Sequence, residues 1–186
     1  QVQAQTFRFE RFSVNDGLTS STVFDIDQDG NGVIWVATEL GLCRFNGSRF
    51  QSFGVLDGLP GNAIYELDID SRDRVWLSTF SHAGYWYEGR FHRVPLEAAG
   101  LDGRVSSMVP DQQEVYWFSG AGALWRAEDT VVEMVRLDGE NTKPRMRSSG
   151  HIQGDSIWML SGDHVDRWDG QRLNRVFETP AYMSRV

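Results

Sequence analysis

The chain has 186 residues, with 18 basic and 26 acidic side chains, a formal net charge of −8 and one cysteine. This length fits a single domain with a sizeable core, and the negative charge argues against a nucleic-acid binder. One cysteine excludes an intrachain disulfide framework, and no run of about 18 apolar residues marks a membrane span.

The N-terminal segment gives the first indication of cellular location and of strand order. Residues 1–5 read Gln-Val-Gln-Ala-Gln with no initiator methionine, which fits either signal-peptide cleavage or a shortened chain. Phe12 lies 41 residues before Phe53, a position in the outer strand of a later unit. The sequence therefore predicts a lone outer strand over 7–12.

Four tryptophans recur at a constant interval of 41 residues, at Trp35, Trp76, Trp117 and Trp158. A period of about 40 to 45 residues is typical of repeat architectures. Each tryptophan stands in a short apolar run rich in β-branched and aromatic residues, which predicts a strand buried on both faces. An apolar residue that marks a preceding strand lies 12 positions earlier in every repeat, at Val23, Ile64, Val105 and Met146.

A turn pair follows each tryptophan run, and three of the four pairs end in glycine. The pairs are Asn46-Gly47, Glu88-Gly89, Glu128-Asp129 and Asp169-Gly170. Asn-Gly and Asp-Gly between extended runs are strong hairpin signals. Each repeat is therefore predicted to hold four short antiparallel strands, A to D, with no helical period.

The predicted fold class is all-β, with four four-stranded antiparallel repeats of about 41 residues arranged as blades of a β-propeller. The expected boundaries are blade 1 over 13–53, blade 2 over 54–94, blade 3 over 95–137, blade 4 over 138–177 and a lead-in to a next blade over 178–186. A β-sandwich with accidental spacing is the alternative, which three identical intervals disfavour.

The strand count does not match a tidy closed ring, because the last unit has its own outer strand and the first is preceded by a surplus one. We therefore expect the chain to be part of a larger propeller. A four-bladed ring with an accessory strand and an eight-bladed ring of two copies are the other solutions. An open arc would expose apolar blade faces that favour self-association.

The first repeat carries a family resemblance. The pattern Asp29-x-x-Gly32-x-Ile34-Trp35-Val36-Ala37-Thr38-x-x-Gly41-Leu42-x-x-Phe45-Asn46-Gly47 resembles the two-component regulator propeller repeat. The second repeat matches the family's pattern at Asp57-Gly58-Leu59 and at Trp76-Leu77-Ser78-Thr79. Repeats three and four keep the tryptophan but differ from the pattern at other positions.

This resemblance implies an extracytoplasmic sensor, periplasmic or extracellular. Such sensors lie N-terminal to a small β-sandwich, a membrane helix and a histidine kinase or diguanylate cyclase, and the best-known members sense oligosaccharides. The resemblance implies signal input by a dimeric receptor, without catalysis in this chain. The alternatives are a protein–protein interaction module in extracellular assembly or secretion and, less favoured, a propeller enzyme that uses Asp25 and Glu66.

Propeller geometry supplies candidate ligand contacts, because the D–A and B–C connections surround the mouth of the central channel. Phe80 and Tyr85 could stack on a sugar face, and other mouth-side residues could bond to hydroxyl groups. The predicted ligand-binding residues are Glu39, Asn62, Phe80, His82, Arg104, Arg147 and His164. The equivalent inner-strand residues Asp25, Glu66, Ser107 and Ser148 are expected to line the channel and hold water.

The motifs for metal or cofactor chemistry are incomplete, so we predict no metal and no cofactor. Asp25-x-Asp27-x-Asp29-Gly30 begins like a calcium loop, but Val36 stands where a bidentate glutamate is needed. The four histidines show no metal-ligand spacing. Cys43 is expected to be a small core residue.

Overall fold

A computed structural model describes residues 9–101, 104–111, 113–120, 123–135, 146–153, 156–161 and 164–178. These residues form four antiparallel sheets, each made of four strands in chain order. The predicted all-β class and the four four-stranded repeats are confirmed. None of the described residues forms a helix that is long and apolar enough to span a membrane.

The sixteen strands are numbered in chain order, four to a sheet. Sheet 1 holds β1 (Val23–Gln28), β2 (Ile34–Thr38), β3 (Gly41–Phe45) and β4 (Phe50–Phe53). Sheet 2 holds β5 (Glu66–Ile69), β6 (Val75–Ser78), β7 (Ala83–Tyr87) and β8 (Arg90–Val94). Sheet 3 holds β9 (Ser107–Pro110), β10 (Tyr116–Gly120), β11 (Ala123–Glu128) and β12 (Val131–Val135). Sheet 4 holds β13 (Met146–Gln153), β14 (Ser156–Ser161), β15 (His164–Trp168) and β16 (Leu173–Glu178).

One aspartate organises the turn between the first two strands of a sheet. In sheet 1, Oδ1 of Asp29 accepts hydrogen bonds from the N–H groups of Asn31 and Val33, and Oδ2 accepts one from Nε1 of Trp35 at 2.9 Å. The same bonds recur 41 and 82 residues later, around Asp70 and Asp111. A buried indole N–H needs an acceptor, so the aspartate and the tryptophan six positions on form a structural pair.

The lead-in to each of the first two sheets is built by the sequence Asp-Gly-Leu. Single-turn 3₁₀ helices at Val14–Asp16 and Val55–Asp57 end at Gly17 and Gly58, which have φ values of +107° and +98°. The leucines that follow are buried. The described part of the predicted outer strand, residues 9–12, is not a strand. Phe12 instead packs its ring 4.8 Å from that of Phe45, so an apolar contact holds this residue against sheet 1.

The core lies between successive sheets. Trp35, Leu42 and Phe53 of sheet 1 pack against sheet 2, and Trp76 of sheet 2 stacks on Tyr116 of sheet 3 at 3.8 Å. Smaller clusters join sheets 3 and 4 and lie on the outer face of sheet 1. Cys43 is buried in the last of these clusters, as predicted for a small core residue.

Candidate functional site

A rim of loops joins sheets 1, 2 and 3 at one end of these sheets. The carbonyl of Thr38 in sheet 1 accepts a hydrogen bond from the N–H of Ile64, which leads into sheet 2, at 3.0 Å. The carbonyl of Phe80 in sheet 2 accepts one from Val105, which leads into sheet 3, at 3.0 Å. The B–C turns of sheets 1 and 2 are thus each tied to the next D–A connection, so this part of the rim is held by backbone bonds and presents side chains to solvent.

The predicted contact residues divide into two groups. Glu39, Asn62, Phe80 and Arg104 are exposed on the rim, and His82 is half-buried there. Arg147 and His164 lie in strands β13 and β15, and their side chains fall outside what the structure describes. Four exposed residues thus lie on one surface, while contacts between their side chains are seen only around Phe80.

Phe80 and Arg104 form the clearest candidate contact. The Phe80 side chain is 57% exposed, and the guanidinium carbon of Arg104 lies 5.8 Å from its ring centroid. An Arg over an aromatic ring is a cation–π arrangement, which orders both side chains at the surface. Together they offer an apolar face and a hydrogen-bond donor to a ligand.

The predicted stacking role of Tyr85 is wrong, because its ring is buried. It packs 4.8 Å from His92 and lies 4.7 Å beneath the Arg74 guanidinium. Alternation along β7 turns Tyr85 toward the core between sheets 2 and 3.

A polar group that sequence reasoning missed holds His82. Its Nε2 lies 3.7 Å from Oε1 of Glu97, and its Nδ1 lies 3.0 Å from Oγ of Ser81. Arg93 also pairs with Glu97. Burial tends to raise the pKa of Glu97, but its own backbone N–H and the Arg93 guanidinium outweigh this and lower that pKa. An ionised Glu97 therefore positions His82 beneath the rim.

The inner-strand acids connect neighbouring sheets, which differs from their expected role in holding channel water. Oδ2 of Asp25 accepts a hydrogen bond from the N–H of Leu67 at 2.9 Å, and Oδ2 of Asp27 accepts one from the N–H of Ile69 at 3.0 Å. Glu66 accepts from the N–H of Met108 in sheet 3. The three acids therefore join the inner strand of one sheet to the inner strand of the next.

A proline explains the one departure from this pattern. Asp68 corresponds to Asp27, but the residue that should donate to it is Pro110, which has no N–H. The hydroxyl of Tyr116 donates to Asp68 in its place. The carboxylates that resemble a calcium loop are therefore engaged elsewhere, two with sheet 2 and Asp29 with Trp35.

Glu66 is the titratable group at the junction of sheets 2 and 3. Burial is the main cause that raises the pKa of Glu66, and the nearby Asp25 adds to it, while Met108, Ser78 and Arg104 oppose the shift. The result of these effects together is a pKa of about 7. The carboxyl therefore changes charge near neutral pH, directly behind the rim.

The substitution Glu66→Gln is expected to weaken the pH dependence of stability. The folded carboxyl holds its proton more tightly than the unfolded one, whose pKa is 4.5. The contribution of the protonated Glu66 carboxyl to the free energy of unfolding is therefore complete below about pH 4.5. This contribution is lost as the pH rises through about 7, which lowers the free energy of unfolding by about 1–3 kcal/mol. Urea unfolding at about pH 5 and pH 8 measures it. The control is Glu39→Gln at an exposed rim carboxylate, and equal pH dependence in both variants and in the unmodified chain would contradict the assignment.

An exposed aromatic pair at the rim end of the inner strands was also missed. Phe24 and Tyr65 stand 41 residues apart in sequence, and their rings lie 5.0 Å apart in the structure. Both remain more than one third exposed. The signal was available, because two aromatic residues at one repeat position on polar inner strands have no core to fill.

Comparisons with known proteins agree with this architecture. The model of the two component regulator propeller family matches residues 17–39. A histidine kinase P4 of Formosa agariphila is 45% identical over 47 residues, which is 25% of this chain and 3% of that protein.

Solved structures share the fold at low sequence identity. An extracellular domain assigned to a hybrid two component system of B. thetaiotaomicron has a TM-score of 0.70 and 16% identity, covering 90% of this chain and 26% of that one. PorZ, a surface component of the type-IX secretion system of Porphyromonas gingivalis, has a TM-score of 0.66 and 15% identity, covering 90% and 24%. An ancestral GH74 enzyme has a TM-score of 0.57 and 14% identity, covering 83% and 24%.

The chain thus spans about a quarter of the length of these structures and a far smaller share of the histidine kinase. The matched segment 17–39 contains the Asp29–Trp35 pair and the Asp-Gly-Leu lead-in residues Gly17 and Leu18. The four sheets are therefore β-propeller blades, and residues 17–39 match the two component regulator propeller repeat.

Proposed function

We propose that this chain is part of a non-catalytic, extracytoplasmic sensor propeller in a bacterial transmembrane signalling protein, with the rim as its ligand surface. The observation that carries this proposal is a set of exposed aromatic residues on the rim, namely Phe24, Tyr65 and Phe80. Phe24 and Tyr65 form one pair, and Arg104 lies over the ring of Phe80. The similarity to extracellular domains of two component systems supports the location and the signalling role.

The ligand class that this surface fits best is an oligosaccharide. Aromatic faces present flat apolar area with little loss of side-chain entropy, which suits the apolar face of a sugar ring. The exposed polar side chains of Glu39, Asn62 and Arg104 can bond to hydroxyl groups. Signalling would follow from a population shift, in which the ligand binds one arrangement of the receptor more tightly than another.

Ligand binding is tested by titrating a panel of neutral and acidic oligosaccharides into the chain and measuring heat. Phe80→Ala is expected to weaken the binding of a responding sugar about tenfold, since one aromatic contact contributes about 1 kcal/mol or slightly more. Tyr87→Ala is the matched control, because Tyr87 is an exposed aromatic residue beside the C–D turn, at the far end of β7 from the rim. Equal losses in both variants would place the ligand elsewhere.

The alternative function is a protein–protein interaction module in extracellular assembly or secretion. The similarity to PorZ and the exposed apolar side chains of Leu40 and Phe80 on neighbouring B–C turns favour it. A partner that binds the rim of the unmodified chain but not that of Phe80→Ala, with no response to any sugar, would support this function over the first.

A further inference from the structure

A polar cleft lies beside the C–D turn of sheet 1, at the opposite end of β3 from the rim. It has a volume of about 200 Å³, and the residues that line it are Val33, Arg44, Asn46, Arg49 and Gln51. This volume is below that of pockets for drug-sized ligands. The cleft therefore fits one chemical group better than a chain of sugar rings.

The polar groups that face a ligand in this cleft are mainly N–H donors. Oδ1 of Asn46 accepts hydrogen bonds within its own turn, from the N–H and Oγ of Ser48 and from the N–H of Arg49. Oε1 of Gln51 accepts one from Nε of Arg44 at 2.9 Å. The two amide oxygens are thus engaged, which leaves two amide NH₂ groups and two guanidinium groups as donors.

The two guanidinium groups are paired with no carboxylate of the described residues. None of the ion pairs in that part of the chain includes Arg44 or Arg49, and both side chains are exposed. The guanidinium carbon of Arg44 lies 5.8 Å from the ring centroid of Phe53, and this cation–π contact orders it. Two positive charges in one cleft repel each other, so an anion placed between them is favoured.

Sheet 4 carries the same arrangement with an acid built in. The residues at the repeat positions of Arg44, Asn46, Arg49 and Gln51 are Arg167, Asp169, Arg172 and Asn174. Asp169 accepts the same turn bonds as Asn46, and its Oδ2 accepts one from Nδ2 of Asn174 at 3.1 Å. The turn N–H groups are the main cause that lowers the pKa of Asp169, and the Arg167 guanidinium contributes. Sheet 4 thus supplies its own anion.

The other two sheets need no anion from outside. In sheet 3, Arg126 corresponds to Arg44, and its cross-strand partner is Glu133, an acid, where sheet 1 has Gln51. In sheet 2, Tyr85 stands at the position of Arg44. Sheet 1 is therefore the one sheet in which two arginines meet at these four positions without an acidic side chain.

We propose that this cleft binds a doubly charged tetrahedral oxyanion, as inorganic sulfate, inorganic phosphate or a phosphate monoester, held by Arg44 and Arg49. A charge of about −2 balances two guanidinium groups, whereas one carboxylate balances only one of them. Guanidinium groups donate several bonds to such oxyanions. Donors from β3, from β4 and from the turn between them suit four oxygens that point in different directions. The site is separate from the rim and does not depend on the ligand of the rim.

NMR titration of the ¹⁵N-labelled protein tests this site at constant ionic strength, with chloride exchanged for sulfate or phosphate. Saturable shifts are expected at residues 44–51, with a dissociation constant of about 1 mM because the side chains are exposed. Acetate is expected to bind about tenfold more weakly. Glucose 6-phosphate separates the two sources of phosphate, since tighter binding than inorganic phosphate assigns the site to an ester and weaker binding to the free ion.

Asn46→Asp gives sheet 1 the acid that sheet 4 already has, and it is expected to raise the dissociation constant about tenfold or more. The turn should survive, because Asp169 makes the same turn bonds in sheet 4. Arg49→Gln removes one guanidinium group and is expected to weaken binding about tenfold.

Arg126→Gln is the matched control, since Arg126 is exposed at the same repeat position as Arg44 but lies opposite an acid. It is expected to leave the dissociation constant unchanged. Unchanged shifts outside residues 44–51 show that each variant is folded. Three results would each overturn the proposal: no saturable shift with sulfate or phosphate, acetate binding as tight as theirs, or equal affinity in Asn46→Asp and the unmodified protein.

Discussion

Replacing Asp70 with alanine is expected to destabilise the protein by about 3–5 kcal/mol, the cost of leaving a buried charge without its partner. The Asp70 carboxylate is fully buried and accepts hydrogen bonds from the Arg74 guanidinium, from the N–H groups of Arg72 and Arg74, and from Nε1 of Trp76. Its loss leaves the indole donor and two turn N–H groups unpaired.

The Arg74 guanidinium makes this site more sensitive than its counterparts. It lies between Asp70 of sheet 2 and Asp129 of sheet 3, and it covers the Tyr85 ring. Burial alone would raise the pKa of Asp70, but the bonds from Trp76 and Arg74 outweigh burial and lower that pKa. The carboxylate therefore stabilises the fold at neutral pH, and this contribution is lost in acid as the pH falls through the lowered pKa.

The matched control is Asp29→Ala in sheet 1. Asp29 makes the same bonds to its turn and to Trp35, but Val33 occupies the position of Arg74. The expected loss is about 1–2 kcal/mol, as for hydrogen bonds without a buried ion pair. Urea unfolding of both variants measures the difference, and equal losses would show that the ion pair adds nothing.

Gly41→Ala is expected to cost about 2–4 kcal/mol, because strain and overlap act together. Gly41 has a φ of +134°, and a Cβ placed there would lie 2.3 Å from the carbonyl oxygen of Phe53. That carbonyl cannot move away easily, since Phe53 pairs with Leu42 across strands β3 and β4.

The control for Gly41 is Gly47→Ala, which separates backbone strain from overlap. Gly47 also has a positive φ, of +89°, but no atom lies within 4 Å of a Cβ built there. Its expected cost is about 1 kcal/mol, from the left-handed conformation alone. Thermal unfolding of the two variants tests this order, and a smaller loss for Gly41→Ala would contradict the predicted overlap.

Much of the fold could be predicted because the same strand and turn residues recur in each repeat. The interval between Trp35 and Trp76 places two equivalent strands, and the turn glycines Gly47 and Gly89 place two equivalent hairpins. The outer strand over 7–12 had no such local support, and residues 9–12 form no strand. A strand needs a neighbour for its backbone groups, and a sequence period does not supply one.

The candidate site could be predicted only in part. Loop topology placed Phe80 and Arg104 on the rim, because the B–C turns of sheets 1 and 2 and the D–A connections that follow them meet at one end of the sheets. The position of a side chain within a strand was harder to assign, so Tyr85 was expected at the mouth and is buried. The contact of His82 with Glu97 joins residues from different strands and loops, and no local pattern marks it.

By itself, the sequence determined the number of repeats and the order of the strands within each, because the tryptophan interval and the turn pairs mark strands that are neighbours in the chain. Only the tertiary structure decided which polar residues join sheets. Asp129 stands where the other repeats have a turn glycine, and its carboxylate reaches Arg74 of sheet 2. Glu66 reaches the inner strand of sheet 3 in the same way. Such bonds depend on how one sheet is placed against the next, and that placement follows from packing across the whole core.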